Sequence, residues 1–120
     1  MHDFRNLNLW NRAIDLAELI YKTTSEFPVK EKFGLVSQMR RCSVSISSNI
    51  AEGCGRNGNN ELVYFLTIAN GSACELHSQV ILSNRLGFIS KEITNEINNK
   101  IEEIKNMNYK LQKTFRDKNK

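Results

Sequence analysis

Residues 37–53 read Ser-Gln-Met-Arg-Arg-Cys-Ser-Val-Ser-Ile-Ser-Ser-Asn-Ile-Ala-Glu-Gly, and the fold turns on whether this stretch is strand or helix. Cys42, Val44 and Ile46 alternate with Ser43, Ser45 and Ser47, a period of two that suits a half-buried strand. Leu35, Met39, Cys42, Ile46 and Ile50 also share one helical stripe, and the surrounding sequence offers no strand partner. Helix is the reading adopted. On a helix, the five serines between 37 and 48 make small surfaces that another backbone can approach closely. Ala69, Gly71, Ser72, Glu75 and Leu76 form a second stretch of the same character.

The flanking segments read as helices more simply. Leu9, Ala13, Leu16 and Ile20 fall on one stripe, with Trp10, Ile14, Ala17 and Tyr21 beside it. Asn11, Asp15, Glu18 and Lys22 supply the polar stripe that the period requires. Phe27-Pro28 then turns the chain, since proline disfavours helical geometry in the residue before it. Gly53 to Gly58 reads as a loop, with Asn59 or Asn60 capping a third helix. From Leu62 to Asn84 the only formal charge is Glu75. A helix so poor in charge is buried on more than one side, so self-association is expected. Ser90 caps a fourth helix, whose stripe of Ile93, Ile97, Ile101, Ile104, Leu111 and Phe115 marks it as peripheral. The expectation is one all-α domain over residues 1–120, an antiparallel up-down four-helix bundle with helices at about 8–26, 30–53, 60–86 and 90–116.

Composition bounds the function. With 40% apolar and 25% charged residues, the 120-residue chain has a globular make-up. No apolar run approaches the roughly 20 residues of a membrane span, and no signal peptide opens the chain. Cys42, Cys54 and Cys74 cannot all pair and contain no Cys-x-x-Cys, so a reduced, cytoplasmic protein is expected. The net charge of +4 is concentrated: residues 29–56 carry five basic and two acidic groups, and residues 105–120 six and one. Such a distribution admits a polyanionic partner.

With the helices placed, the chain resembles the four-helix-bundle proteins encoded by intervening sequences of bacterial 23S ribosomal RNA genes. The resemblance is carried by Phe4, Leu7, Trp10 and Ala13, then by Phe27-Pro28, Glu31, Leu35, Gln38, Arg40-Arg41 and Ser45-Ile46. It continues through Asn49-Ile50-Ala51-Glu52-Gly53, Phe65-Leu66, Ala69, Gly71-Ser72 and Glu75. It implies an all-helical protomer and a ring-shaped homopentamer. It also implies kinship with the accessory protein of diversity-generating retroelements, which works with a reverse transcriptase and its RNA.

Catalytic motifs do not survive inspection. Gly53-x-Gly55-x-x-Gly58 spells a dinucleotide fingerprint, but that motif needs a preceding strand, and here a helix precedes it. A helix end and turn is the simpler reading, with Arg56 and the amides opening the third helix able to hold one phosphate. Glu52 and Glu75 invite a di-iron site, yet no Glu is followed three residues later by His, so no metal or other cofactor is expected. Asn49, Glu52, Ser72 and Glu75 read instead as a polar network fixing helix register or a subunit contact. Cys54 has no evident base. The candidate nucleic-acid-binding residues are Arg40, Arg41, Arg56, Lys110, Lys113 and Arg116, within a basic tail running to Lys120. Adjacent Arg40 and Arg41 diverge by about 100° on a helix, so one pairs internally, or with Glu52 or Glu31 of another subunit, while the other faces outward. The expectation is a non-enzymatic oligomer presenting basic surface to RNA or a ribonucleoprotein. The alternative is a scaffold that docks a partner protein such as a reverse transcriptase.

Overall fold

The 37–53 stretch is helical throughout, and its serines show why a strand pattern can hide in a helix. Ser43 and Ser47 are buried, and each hydroxyl donates back to a carbonyl of its own helix, Ser43 Oγ to Arg40 O at 2.9 Å and Ser47 Oγ to Val44 O at 3.0 Å. A polar residue that satisfies itself locally can occupy a core position. The computed structural model describes residues 2–118. A 3-10 turn at Phe4–Asn6 leads into α1 (Asn8–Thr24), and a second at Val29–Glu31 leads into α2 (Leu35–Gly55), followed by α3 (Asn59–Arg85) and α4 (Lys91–Lys118).

The boundaries differ from the sequence expectation in two instructive places. α2 begins at Leu35 rather than near Lys30, because Gly34 adopts φ −107° and ψ −109°, outside helical geometry. α2 also runs past Gly53 to Gly55, so Gly53 is a helix-packing residue, not a helix end. The turn that follows is made by Gly58, whose φ of +89° is the left-handed value glycine tolerates. Gly58, not Asn59 or Asn60, precedes the first residue of α3. α3 ends in a Schellman arrangement: Gly87 has φ +81°, its N–H reaches Asn84 O at 3.0 Å, and the Phe88 N–H reaches Ser83 O at 2.9 Å. Ser90 Oγ accepts the Ile93 N–H at 3.1 Å and opens α4.

The helices contact one another in chain order, and α1 closes against α4, while the backbones of the diagonal pairs stand farther apart. Each contact is antiparallel: Arg40 near the start of α2 reaches Thr24 at the end of α1, and Arg12 of α1 pairs with Glu103 of α4 at 2.6 Å. The core between them is formed by fully buried Leu16, Ile20, Met39, Ile46, Leu76 and Ile101 and their neighbours. The principal extents are 48 × 23 × 20 Å.

α4 buries a different stripe from the one its isoleucines suggest. Ile93 is 38% exposed and Leu111 half-buried, while Thr94, Asn108 and Gln112 lie in the buried row with Ile97, Ile101, Ile104 and Phe115. The amides form a ladder to α3. Asn108 Nδ2 donates to Leu66 O at 3.0 Å, and Gln112 Nε2 donates to Asn108 Oδ1 at 2.6 Å. Gln112 Oε1 then accepts from Thr67 Oγ1 at 3.3 Å and from Arg116 Nη2 at 2.7 Å. Each polar side-chain atom of Asn108 and Gln112 has a partner, which explains why they are tolerated inside.

Candidate nucleic-acid interface

α2 and α3 form the closest helix pair, and their small residues set the distance. A Cβ on Gly53 would lie 3.0 Å from Phe65 Cβ and 3.3 Å from Leu62 O, so glycine is what lets α3 approach. Beyond this crossing runs a polar seam. Ser45 Oγ and Ser72 Oγ are 2.8 Å apart, Asn49 Nδ2 donates to Ser45 O at 2.8 Å and to Ser45 Oγ at 3.0 Å, and Cys42 Sγ donates to Glu75 Oε2 at 3.1 Å. Gln79 Nε2 reaches the same carboxylate oxygen at 3.5 Å. Burial, and then the bond to Glu75, push the Cys42 thiol up to about 11, so the thiol stays protonated and donates.

Asn49, Ser72 and Glu75 therefore share one seam, and Cys42, Ser45 and Gln79 join them. Glu52 does not. It faces solvent and accepts from Arg56 Nη2 at 3.0 Å, one helical turn away on its own chain. The missed members were visible as spacing: 42, 45 and 49 on α2 oppose 72, 75 and 79 on α3, both in helical steps of three and four.

The six basic candidates lie in two groups. Arg56 sits near Phe65, its guanidinium 5.1 Å from that ring, while Arg41 adjoins Cys42, which meets Glu75. Ten residues of α3 separate these levels, about 15 Å along the bundle. Lys110, Lys113 and Arg116 share the Arg56 half, since Gln112 contacts Thr67. Asn119 and Lys120, the end of the basic tail, lie outside the described residues.

The environments of these cations differ sharply. Arg40 is spent inside the fold: Nε donates to Thr24 Oγ1 at 2.9 Å, Nη2 to Tyr21 O at 3.3 Å, and its plane lies 4.6 Å from the Tyr21 ring. It ties the end of α1 to α2 with no carboxylate partner among the described residues. Arg56 is flanked by Glu52 and, at 3.9 Å, by Glu61. Those two carboxylates, one of them in the first turn of α3, leave little positive potential for a phosphate there. Arg116 donates into the amide ladder. Arg41, Lys110 and Lys113 point to solvent, and Arg41 has no ion pair or hydrogen bond among the described residues.

The family model of the 23S rRNA-intervening sequence proteins matches residues 5–110. The chain belongs to this family. A crystal structure from Bacteroides thetaiotaomicron, described as a protein of unknown function from the S23 ribosomal protein family, superposes on this chain with a TM-score of 0.79. The two are 25% identical over 88% of this chain and 98% of the other. No curated protein matches. The family match spans α1, α2, α3 and α4 as far as Lys110, so Lys113 and Arg116 lie beyond it.

Two further features of this chain bear on function. The outer face of α3, with Tyr64, Gly71, Cys74, Ser78, Ile81 and Leu82, is exposed and poor in charge, with exposed Glu75 at its edge and exposed Arg85 in its last turn. Near the start of α2, Phe33 is 89% exposed beside Lys32, a signal that periodicity could not supply because both precede the helix. Cys54 is buried, and its thiol is pushed up by burial and by the charge of Asp3, which disfavours the nucleophilic thiolate. Among the described residues no three His, Cys, Asp or Glu side chains cluster as a metal site, and no helix is long and apolar enough to cross a membrane.

Proposed function

We propose that this protein is a non-enzymatic homo-oligomer, a ring of five by its family resemblance, that presents basic surface to RNA or a ribonucleoprotein. The supporting observation is that one protomer combines an exposed, charge-poor α3 face with solvent-facing cations toward both ends of the bundle. The apolar face calls for another copy of the chain, and the cations call for a polyanion. Arg41, Lys110 and Lys113 are the cations available for phosphate; Arg40 and Arg116 serve the fold. One protomer offers few contacts, but symmetry repeats them, and modest sites gain affinity by multivalency. Such a surface selects by charge and shape rather than by base sequence.

The test is a titration of a structured RNA at low and moderate salt against wild type and an Arg41→Glu, Lys110→Glu, Lys113→Glu variant, each checked for folding and mass by light scattering. Binding that weakens with a log–log salt slope of about 0.7–0.9 per phosphate contact, and is lost in the variant, is the expected result. Absence of binding at low salt, or indifference to charge reversal, refutes the RNA reading and leaves the protein-docking scaffold. A monomer in solution removes the ring.

A further inference from the structure

The corner between α1 and α2 carries a feature that surface charge alone does not explain. The chain leaves α1 at Thr24, turns at Pro28, and passes through Lys32, Phe33 and Gly34 before α2 begins. Two shallow adjoining cavities, of about 310 and 390 Å³, share Lys32, Val36 and Arg40 as their common wall. The larger is completed by Tyr21, Phe33 and Arg41. A phenyl ring left almost wholly in water is unusual for a residue of this size, and here it stands among cations. Lys32 Nζ lies 5.4 Å from the centre of the Phe33 ring, and the Arg40 guanidinium lies over Tyr21. From Tyr21 to Arg41 the chain carries Lys22, Lys30, Lys32, Arg40 and Arg41 against Glu26 and Glu31. Glu31 turns back toward the Leu35 N–H, at 3.5 Å.

We infer that this corner is a stacking cleft for unpaired nucleotides of RNA, with Phe33 as the platform for a base and Lys32 and Arg41 as the phosphate contacts. The inference rests on the nucleic-acid reading above and names the form of nucleic acid that this part of the surface takes. A base within a duplex has both faces covered by its neighbours, so only an unpaired base can lay a face on Phe33. A nucleic acid places an anion beside every base, so an aromatic ring set among cations meets both its needs whatever the sequence. Arg40 keeps the cleft rigid, because its bonds to Thr24 and Tyr21 hold the wall in place before a ligand arrives. A second copy docking through the charge-poor α3 face would fit poorly here, since it would bury several cations with few partners.

The experiment compares a fluorescein-labelled oligoadenylate with a blunt RNA duplex of equal length, titrated into the assembled protein and into Phe33→Ala, Phe33→Leu and Phe33→Trp variants. Light scattering and circular dichroism confirm that each variant retains its mass and helix content. Wild type is expected to favour the single strand. Phe33→Ala and Phe33→Leu should weaken that binding by at least about fivefold and leave the duplex unchanged, since base stacking on an aromatic side chain is worth this much or more. Phe33→Trp should retain the affinity, with oligoadenylate quenching its emission beyond any quenching of Trp10 in wild type. Equal binding of both RNAs with no effect of Phe33→Ala overturns the stacking cleft while the basic-surface reading stands. Failure of wild type to bind either RNA at low salt overturns both. Loss of the assembly in Phe33→Ala overturns the cleft by placing Phe33 between copies.

Discussion

Replacing Gly53 by alanine adds one methyl group where α2 crosses α3, and the atoms it would meet set the expected effect. The new Cβ would stand 3.0 Å from Phe65 Cβ, 3.1 Å from Leu62 Cδ1 and 3.3 Å from Leu62 O. The leucine methyl can swing aside, but the other two atoms are anchored to the α3 backbone, so relief requires the helices to separate. Overpacking of this kind costs about 1–3 kcal/mol. Alanine regains at most about 1 kcal/mol of helix propensity, less in the last turn of α2. The net expectation for Gly53→Ala is a loss of about 1–2 kcal/mol, or roughly 3–8 °C in Tm for a domain of this size. Gly71→Ala is the matched control, because nothing lies within 4 Å of its added Cβ. In an isolated protomer it should gain about 0.5–1 kcal/mol. Urea unfolding of both variants at several protein concentrations separates protomer stability from assembly. A Gly53→Ala protein as stable as wild type would refute the close-approach argument. A Gly71→Ala protein that dissociates would show that another copy covers α3 at that point.

Arg40→Ala should cost about 1–2 kcal/mol by removing the tie between α1 and α2, and Arg40→Lys should restore little of it, since one ammonium cannot reproduce the guanidinium fork; thermal unfolding reads both. Asn108→Ala should cost about 2 kcal/mol, because it leaves the Gln112 amide buried without its acceptor, and a denaturation midpoint equal to that of wild type would contradict the ladder. Exposed Cys74 should react with iodoacetamide well before buried Cys42 and Cys54, as mass spectrometry of peptides would show. Since the fold raises the Cys42 thiol from 9.0 to about 11, folded protein holds that proton more tightly than unfolded chain. The associated stability is complete below pH 9.0 and is lost as pH rises toward about 11. Urea midpoints across that range should fall more steeply for wild type than for Cys42→Ala.

The fold was legible wherever apolar residues alone define a stripe, as in α1, where Leu9, Ala13, Leu16 and Ile20 are all buried. It was less legible where polar residues complete their bonding locally. Asn108 and Gln112 count as surface residues in any hydrophobic pattern, yet each satisfies the other inside. Gly53 read as a helix end because glycine is common there, and only the position of α3 reveals its packing role. The two arginines at 40 and 41 do diverge as helical geometry requires, one tied to α1 and one in solvent. The partners of Arg40, a hydroxyl and a carbonyl on the preceding helix, carry no sequence signature. Lys32 and Phe33 belong to a connection, where no period marks exposure.

The antiparallel closure of α1 on α4 brings the two ends of the described chain together: the His2 and Phe115 rings meet at 4.9 Å, and the His2 N–H reaches Cys54 O at 3.2 Å. The order of the helices along the gene is therefore one of several that would build the same object. A short linker could join the old ends, and new ends could be cut in the turn around Gly58 or that around Gly87. Opening at Gly87 would place both new ends at the opposite pole of the bundle, so cargo fused to a permuted chain would leave from the other end of the fold.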